Sequence, residues 1–89
     1  MPKQLSTVIL AEPEYAPGKT VLIRLDLLNP DNPDRQFIWC GRSLGWLPFK
    51  TTSNAFFCFF SSDDEAQEAA DKYVSLPVQE ECPDAYRIA

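Results

Sequence analysis

Histidine is missing from this chain altogether, and several other residue types are scarce: 89 residues include no His, three Gly, one Met and eight Lys or Arg. Without imidazole the chain lacks the one side chain that ordinarily titrates near neutrality, which is also the commonest general base and metal ligand. The three cysteines, at positions 40, 58 and 82, are an odd number at wide spacing. They match neither a disulfide framework nor the paired Cys-x-x-Cys of a metal knuckle, so reduced thiols are expected. No stretch approaches the roughly eighteen uninterrupted apolar residues of a membrane-spanning helix. Met1 to Leu10 also lacks the charged start and long apolar run of a secretory leader. The chain therefore reads as cytoplasmic, with no metal or cofactor expected.

What is present is oily and aromatic. Hydrophobic residues make up 45% of the chain and aromatics 12%, including two Trp, three Tyr and six Phe, so a few large rings are able to build the core. A chain of this length makes one domain, expected to span residues 1–89, and hides only about 60–65% of its unfolded surface on folding. The net charge of −5 is uneven. Residues 1–60 hold six basic and five acidic side chains, whereas residues 61–89 hold two basic and eight acidic ones. An acidic last third repels phosphate and suits a basic partner better than a nucleic acid.

Alternation and turn chemistry divide the chain. Leu5 to Leu10 is a short β-like run stopped by Glu12-Pro13 and by the Tyr15-Ala16-Pro17-Gly18 turn signal. From Lys19 onward, Val21, Ile23, Leu25 and Leu27 share one strand face, with Thr20, Arg24 and Asp26 on the other. Asn29 to Asp34, an Asn-Pro-Asp tripeptide written twice, is a loop, because proline lacks an amide donor and restricts the residue before it. Gln36 to Cys40 returns as a strand, Gly41 to Ser53 reads as a long connection, and Asn54 to Phe60 reads as a further strand. Ser62 is suited to cap a helix, with Glu65 completing a capping box and Asp63 and Asp64 at the positive end of the helix dipole. The apolar positions Ala66, Ala69, Ala70, Tyr73 and Val74 follow helical spacing, and Pro77 ends the run. A last short strand is expected from Ala85 to Ile88. The fold class is α+β: an antiparallel sheet of four to five strands with one amphipathic helix of the C-terminal half packed on one face, in the order β-β-β-β-α-(β).

Three short motifs suggest chemistry and fail on context. Gly18-Lys19-Thr20 ends like a phosphate-binding loop, but it runs into a strand where that loop needs a helix N-terminus. Cys40-Gly41-Arg42-Ser43 resembles, over four residues, the monothiol site of a thioredoxin fold. That site needs a helix beginning at the cysteine, and Gly45 and Pro48 interrupt any helix here. Asp26, Asp31 and Asp34 lack the glycine and terminal glutamate of a readable calcium loop.

The aromatic faces carry the functional expectation. Phe37 and Trp39 oppose Ile38 and Cys40, and Phe56, Cys58 and Phe60 oppose Phe57 and Phe59, so both strands are oily on both sides. One helix covers one face. The other needs either the loop bearing Trp46, Leu47 and Phe49 as a lid, or a surface from another molecule. The reading is a small, non-enzymatic binding or regulatory domain whose partner is another protein or a second copy in a homodimer. Trp39, Arg42, Trp46, Leu47 and Phe49 are the expected anchors. The alternatives are a single-strand nucleic-acid binder stacking bases on Trp39, Trp46, Phe57 and Phe59, and a monothiol redox protein built on Cys40.

Overall fold

A computed structural model of the chain describes residues 6–26 and 35–88. Four strands form one sheet: β1 (Ser6–Ala11), β2 (Val21–Asp26), β3 (Gln36–Trp39) and β4 (Trp46–Pro48), each antiparallel to the next in the order β1-β2-β3-β4. The helix α1 (Asp63–Tyr73) follows, and short 3-10 turns occupy Asn54–Phe56 and Asp84–Tyr86. This is the expected α+β arrangement with its helix in the C-terminal half. The Asn-Pro-Asp loop at 29–34 lies outside the described residues.

Strand register sorts the side chains into two layers. Ile9, Ile23, Ile38 and Leu47 align across all four strands, and the neighbouring row is Val8, Arg24, Phe37 and Pro48. Because side chains alternate along a strand, these rows face opposite ways. One core layer gathers Leu22, Phe37, Trp39 and Trp46 with Ala66, Ala69 and Ala70 of α1, and the other gathers Val21, Ile38, Cys40 and Leu47. The helix thus covers the face of β2 that looked polar. Leu22, fully buried, lies there between Thr20 and Arg24. Arg24 is accommodated by donating from Nη1 to the Leu76 carbonyl at 2.6 Å, with its guanidinium 5.5 Å over the Trp46 ring.

The start of the helix follows its local chemistry. The Ser62 hydroxyl accepts from the Glu65 amide at 3.2 Å, and three acidic residues fill the first turn, satisfying an otherwise unbonded donor and opposing the helix dipole. At the other end the Trp46 indole Nε1 donates to the Tyr73 carbonyl at 2.9 Å, one of the last carbonyls that a helix leaves without an internal partner. Trp39 stacks on Tyr73 at 4.6 Å and meets Trp46 at 5.2 Å. The alanine stripe lets the helix approach these rings closely.

Two expectations about the middle of the chain are corrected. The fourth strand is Trp46–Pro48, inside the stretch read as a connection, and residues 54–60 do not form a strand. Ser53 caps a 3-10 turn there by accepting from the Ala55 amide. Residues 58–60 then run between the ends of β2 and β3. Pairing of those strands covers Ile23–Ile38 to Leu25–Gln36; beyond it the Cys58 amide donates to the Trp39 carbonyl, and Thr20 and Phe60 exchange both backbone bonds. Of the alternation read for 56–60, Cys58 and Phe60 lie on the helix-side layer and Phe57 on the other, while Phe56 meets Tyr86, which packs on the layer of Phe57. Residues 85–88 likewise form a 3-10 turn and a single bridge from Arg87 to Thr52 instead of a strand.

The buried rings make a direct test of this interior. Truncating Trp46 to Ala is expected to cost about 3–5 kcal/mol, a large part of the roughly 5–15 kcal/mol of a typical domain. The urea midpoint followed by circular dichroism should fall sharply for Trp46→Ala. It should stay near wild type for Arg42→Ala, at the exposed tip of the β3–β4 hairpin, and similar melts for both variants would contradict the interior placement of Trp46.

Candidate partner-binding surface

The stretch from Trp39 to Phe49 is a β-hairpin. The Cys40 amide donates to the Gly45 carbonyl at 3.0 Å and the Gly45 amide to the Gly41 carbonyl at 2.7 Å. Gly41 and Gly45 hold φ of 95° and 74°, values that side chains with a Cβ rarely adopt. Cys40 therefore sits at a strand end and not at a helix start. Its thiol donates toward the Ile38 carbonyl at 3.7 Å. Burial, with further contributions from Cys82 and Cys58, pushes it up to about 12. This environment opposes the thiolate that nucleophilic or redox chemistry needs.

Of the five expected anchors, Trp39, Trp46 and Leu47 are interior, with relative exposures of 2%, 0% and 0%. Trp39 and Trp46 meet under the helix, while Leu47 lies on the opposite face with Phe49 packed half-buried against its layer. Arg42 stands apart and exposed at the hairpin tip. The expected lid, the loop bearing Trp46, Leu47 and Phe49, is replaced: Trp46 and Leu47 belong to β4 itself, and this polypeptide roofs both faces over β3 and β4 with Phe49 and other segments. The roof of the second face comes from Phe49, Phe57 and Tyr86. The edge of β4 is covered as well, by a parallel bridge to Val78 and by the Gln79 amide donating to the Trp46 carbonyl at 3.0 Å. Anchoring a partner is not open to the three interior residues in this conformation, because their side chains have no surface left to offer.

Among the described residues this roof stops short of Ile9 in β1. Ile9, Tyr15 and Phe59 are exposed by 46%, 56% and 38%, and Ile23 and Leu25 beside them are half-buried. Tyr15 meets Phe59 edge-to-face at 6.3 Å, Phe59 meets Phe57 at 6.5 Å and Phe57 meets Phe49 at 6.0 Å. A line of rings thus leads from the roofed half to the open half. The alternation of residues 57–60 and the apolar row through Ile9 were the available signals for this patch. Tyr15 carried none, since it lies in a turn and its contact with Phe59 spans distant segments.

A hollow of about 410 Å³ lies between the end of β1 and the start of α1, lined by Glu12, Gly18, Thr20, Ser61, Ser62 and Asp63 among others. Its carboxylates are engaged internally: Glu12 accepts from the Gly18 amide at 2.7 Å and Asp63 from the Thr20 hydroxyl at 2.9 Å. The Gly18-Lys19-Thr20 motif is a turn entering β2 beside two acidic groups, a setting hostile to phosphate. Among the described residues no three His, Cys, Asp or Glu side chains converge as metal ligands, and no helix is long and apolar enough to cross a membrane.

No family model matches the chain, no curated protein matches its sequence and no solved structure matches it. The surface itself is therefore the basis for a functional reading. On the other side of the sheet from this patch, the exposed side of α1 presents Asp64, Glu65, Glu68 and Asp71, with Lys72 as the basic exception.

Cys40 supplies a test of this geometry. Its folded value of about 12 lies above the ordinary 9.0, so the stability it contributes is intact below pH 9 and is lost as pH rises toward 12. The urea midpoint should fall across that window, and fall less for Cys40→Ala. At pH 8, iodoacetamide should modify the half-buried Cys58 first and reach Cys40 only as urea opens the chain. Fast labelling of native Cys40, read by mass spectrometry, would contradict its burial.

Proposed function

We propose that this chain is a small, non-enzymatic module that works by binding another protein. The contact uses the open β1–β2 half of the sheet, with Ile9, Tyr15 and Phe59 as its apolar anchors. The observation that carries the reading is that Tyr15 and Phe59 are the exposed rings of the molecule and that Ile9 is exposed on the same open half of the sheet, the other exposed large hydrophobics being Leu76 and Ile88. Exposed apolar patches of this kind mark interaction sites, and aromatic residues are prominent among binding hot spots. Burying two or three such side chains against a partner is worth on the order of 2 kcal/mol each before the costs of association.

Electrostatics narrow the class of partner. The acidic side chains of α1 favour approach by a basic surface, act chiefly on the association rate, and weaken with salt. Of the stacking platforms of the nucleic-acid alternative only Phe59 is exposed, since both tryptophans are core residues and Phe57 is half-buried. The redox alternative loses its thiolate.

The test uses the whole chain as bait in native lysate, beside a Tyr15→Ser, Phe59→Ser variant. Both residues are exposed, so the variant is expected to keep the wild-type circular dichroism spectrum and to lose the protein that the wild type captures. A folded variant that retains the same captured protein would overturn the reading.

A further inference from the structure

The open half of the sheet ends in a strand edge, and that edge specifies more than an apolar patch does. β1 pairs with β2 through all six of its residues, Ser6–Asp26 to Ala11–Val21, and is the terminal strand of the sheet. Among the described residues nothing pairs with its outer side. In an antiparallel strand alternate residues turn both backbone groups outward, leaving about three unpaired sets along β1. Natural sheets blunt such an edge with charge, proline, a bulge or a covering element. The segment Ser6–Ala11, Ser-Thr-Val-Ile-Leu-Ala, contains no charged residue and no proline. The opposite edge, at β4, is covered by Val78 and Gln79.

The two sides of the edge differ in chemistry. On one side α1 lies over β1 and β2, with its exposed surface acidic at Asp64, Glu65, Glu68 and Asp71 and basic at Lys72. On the other side is exposed Ile9, aligned with Ile23. Side chains of a strand added to β1 would alternate between these two settings.

We infer that β1 accepts an extended segment of a partner protein as a fifth, edge strand. This inference rests on the protein-binding reading above and names its partner's chemistry: Lys or Arg at the alternate positions beneath α1, and large apolar residues at those beside Ile9. Main-chain bonds supply affinity and the alternation supplies selectivity. A second copy of this chain fits poorly. Its own β1 offers no basic residue, and pairing edge to edge would bring two acidic helices toward each other.

A short synthetic peptide alternating lysine and valine, blocked at both ends, is the probe, with a glutamate–valine peptide as control. Fluorescence anisotropy with the full chain should show binding of the lysine peptide alone, weakened about tenfold or more by high salt. Hydrogen exchange should show new protection of amides within residues 6–11. Ile9→Lys should weaken binding about tenfold or more while circular dichroism stays native, and Glu68→Lys with Asp71→Lys should do so without touching the edge. Four results would overturn the inference: no binding of the lysine peptide, binding without protection of residues 6–11, equal binding by the variants, or a β1-paired dimer seen by light scattering. If the peptide fails while lysate capture still depends on Tyr15 and Phe59, the edge inference falls and the broader reading stands. If capture is indifferent to those residues, the broader reading falls.

Discussion

The indole of Trp46 is the point where sheet, helix and terminal segment are joined. Its ring lies fully buried between Trp39 and the Arg24 guanidinium, its Nε1 satisfies the end of α1 at the Tyr73 carbonyl, and its own backbone carbonyl receives the Gln79 amide. The buried indole N–H would carry an unmet polar demand without the Tyr73 carbonyl, and a buried donor without a partner costs about 1–3 kcal/mol. One residue at a sheet margin thereby settles where the helix stops and where the chain after it must pass.

That constraint explains the division between closed and open surface. A single helix with an alanine stripe seats itself over the aromatic side of the sheet. The turn-rich segment 49–60, with Tyr86, is spent roofing the β3–β4 half of the reverse side. No comparable element lies over β1 among the described residues, and apolar area persists at Ile9, Tyr15 and Phe59. Their exposure is a consequence of how the covering material is distributed, and function is best sought where the covering ends.

Features governed by local chemistry were legible in the sequence. Ser62 and Glu65 announce the helix start, and alternation announces β1, β2 and β3, because capping and two-residue periodicity involve only near neighbours. β4 was not legible: three residues ending in Pro48 carry too little period, and the strand exists because Phe37, Ile38 and Trp39 pair with it. The stretch 54–60 misled for the converse reason. Its aromatic alternation was real, but β2 and β3 offer it only their diverging ends, so it bonds to each in turn without building a ladder. The expected anchors suffered most, since Trp39 and Trp46 are hot-spot types and Leu47 is apolar, and the interior position of all three depends on segments far along the chain.

The shelter of β4 by Val78 and Gln79 has a bearing on the molecule's making. Both residues are synthesised long after Trp46, so a growing chain that has already assembled its hairpins still has bare strand on two sides. Contacts this distant in sequence form slowly, and unpaired strand invites mispairing between neighbouring molecules. The segment carrying Val78 and Gln79 is thus a clasp over β4, and until it shuts that strand edge stays open to mispairing.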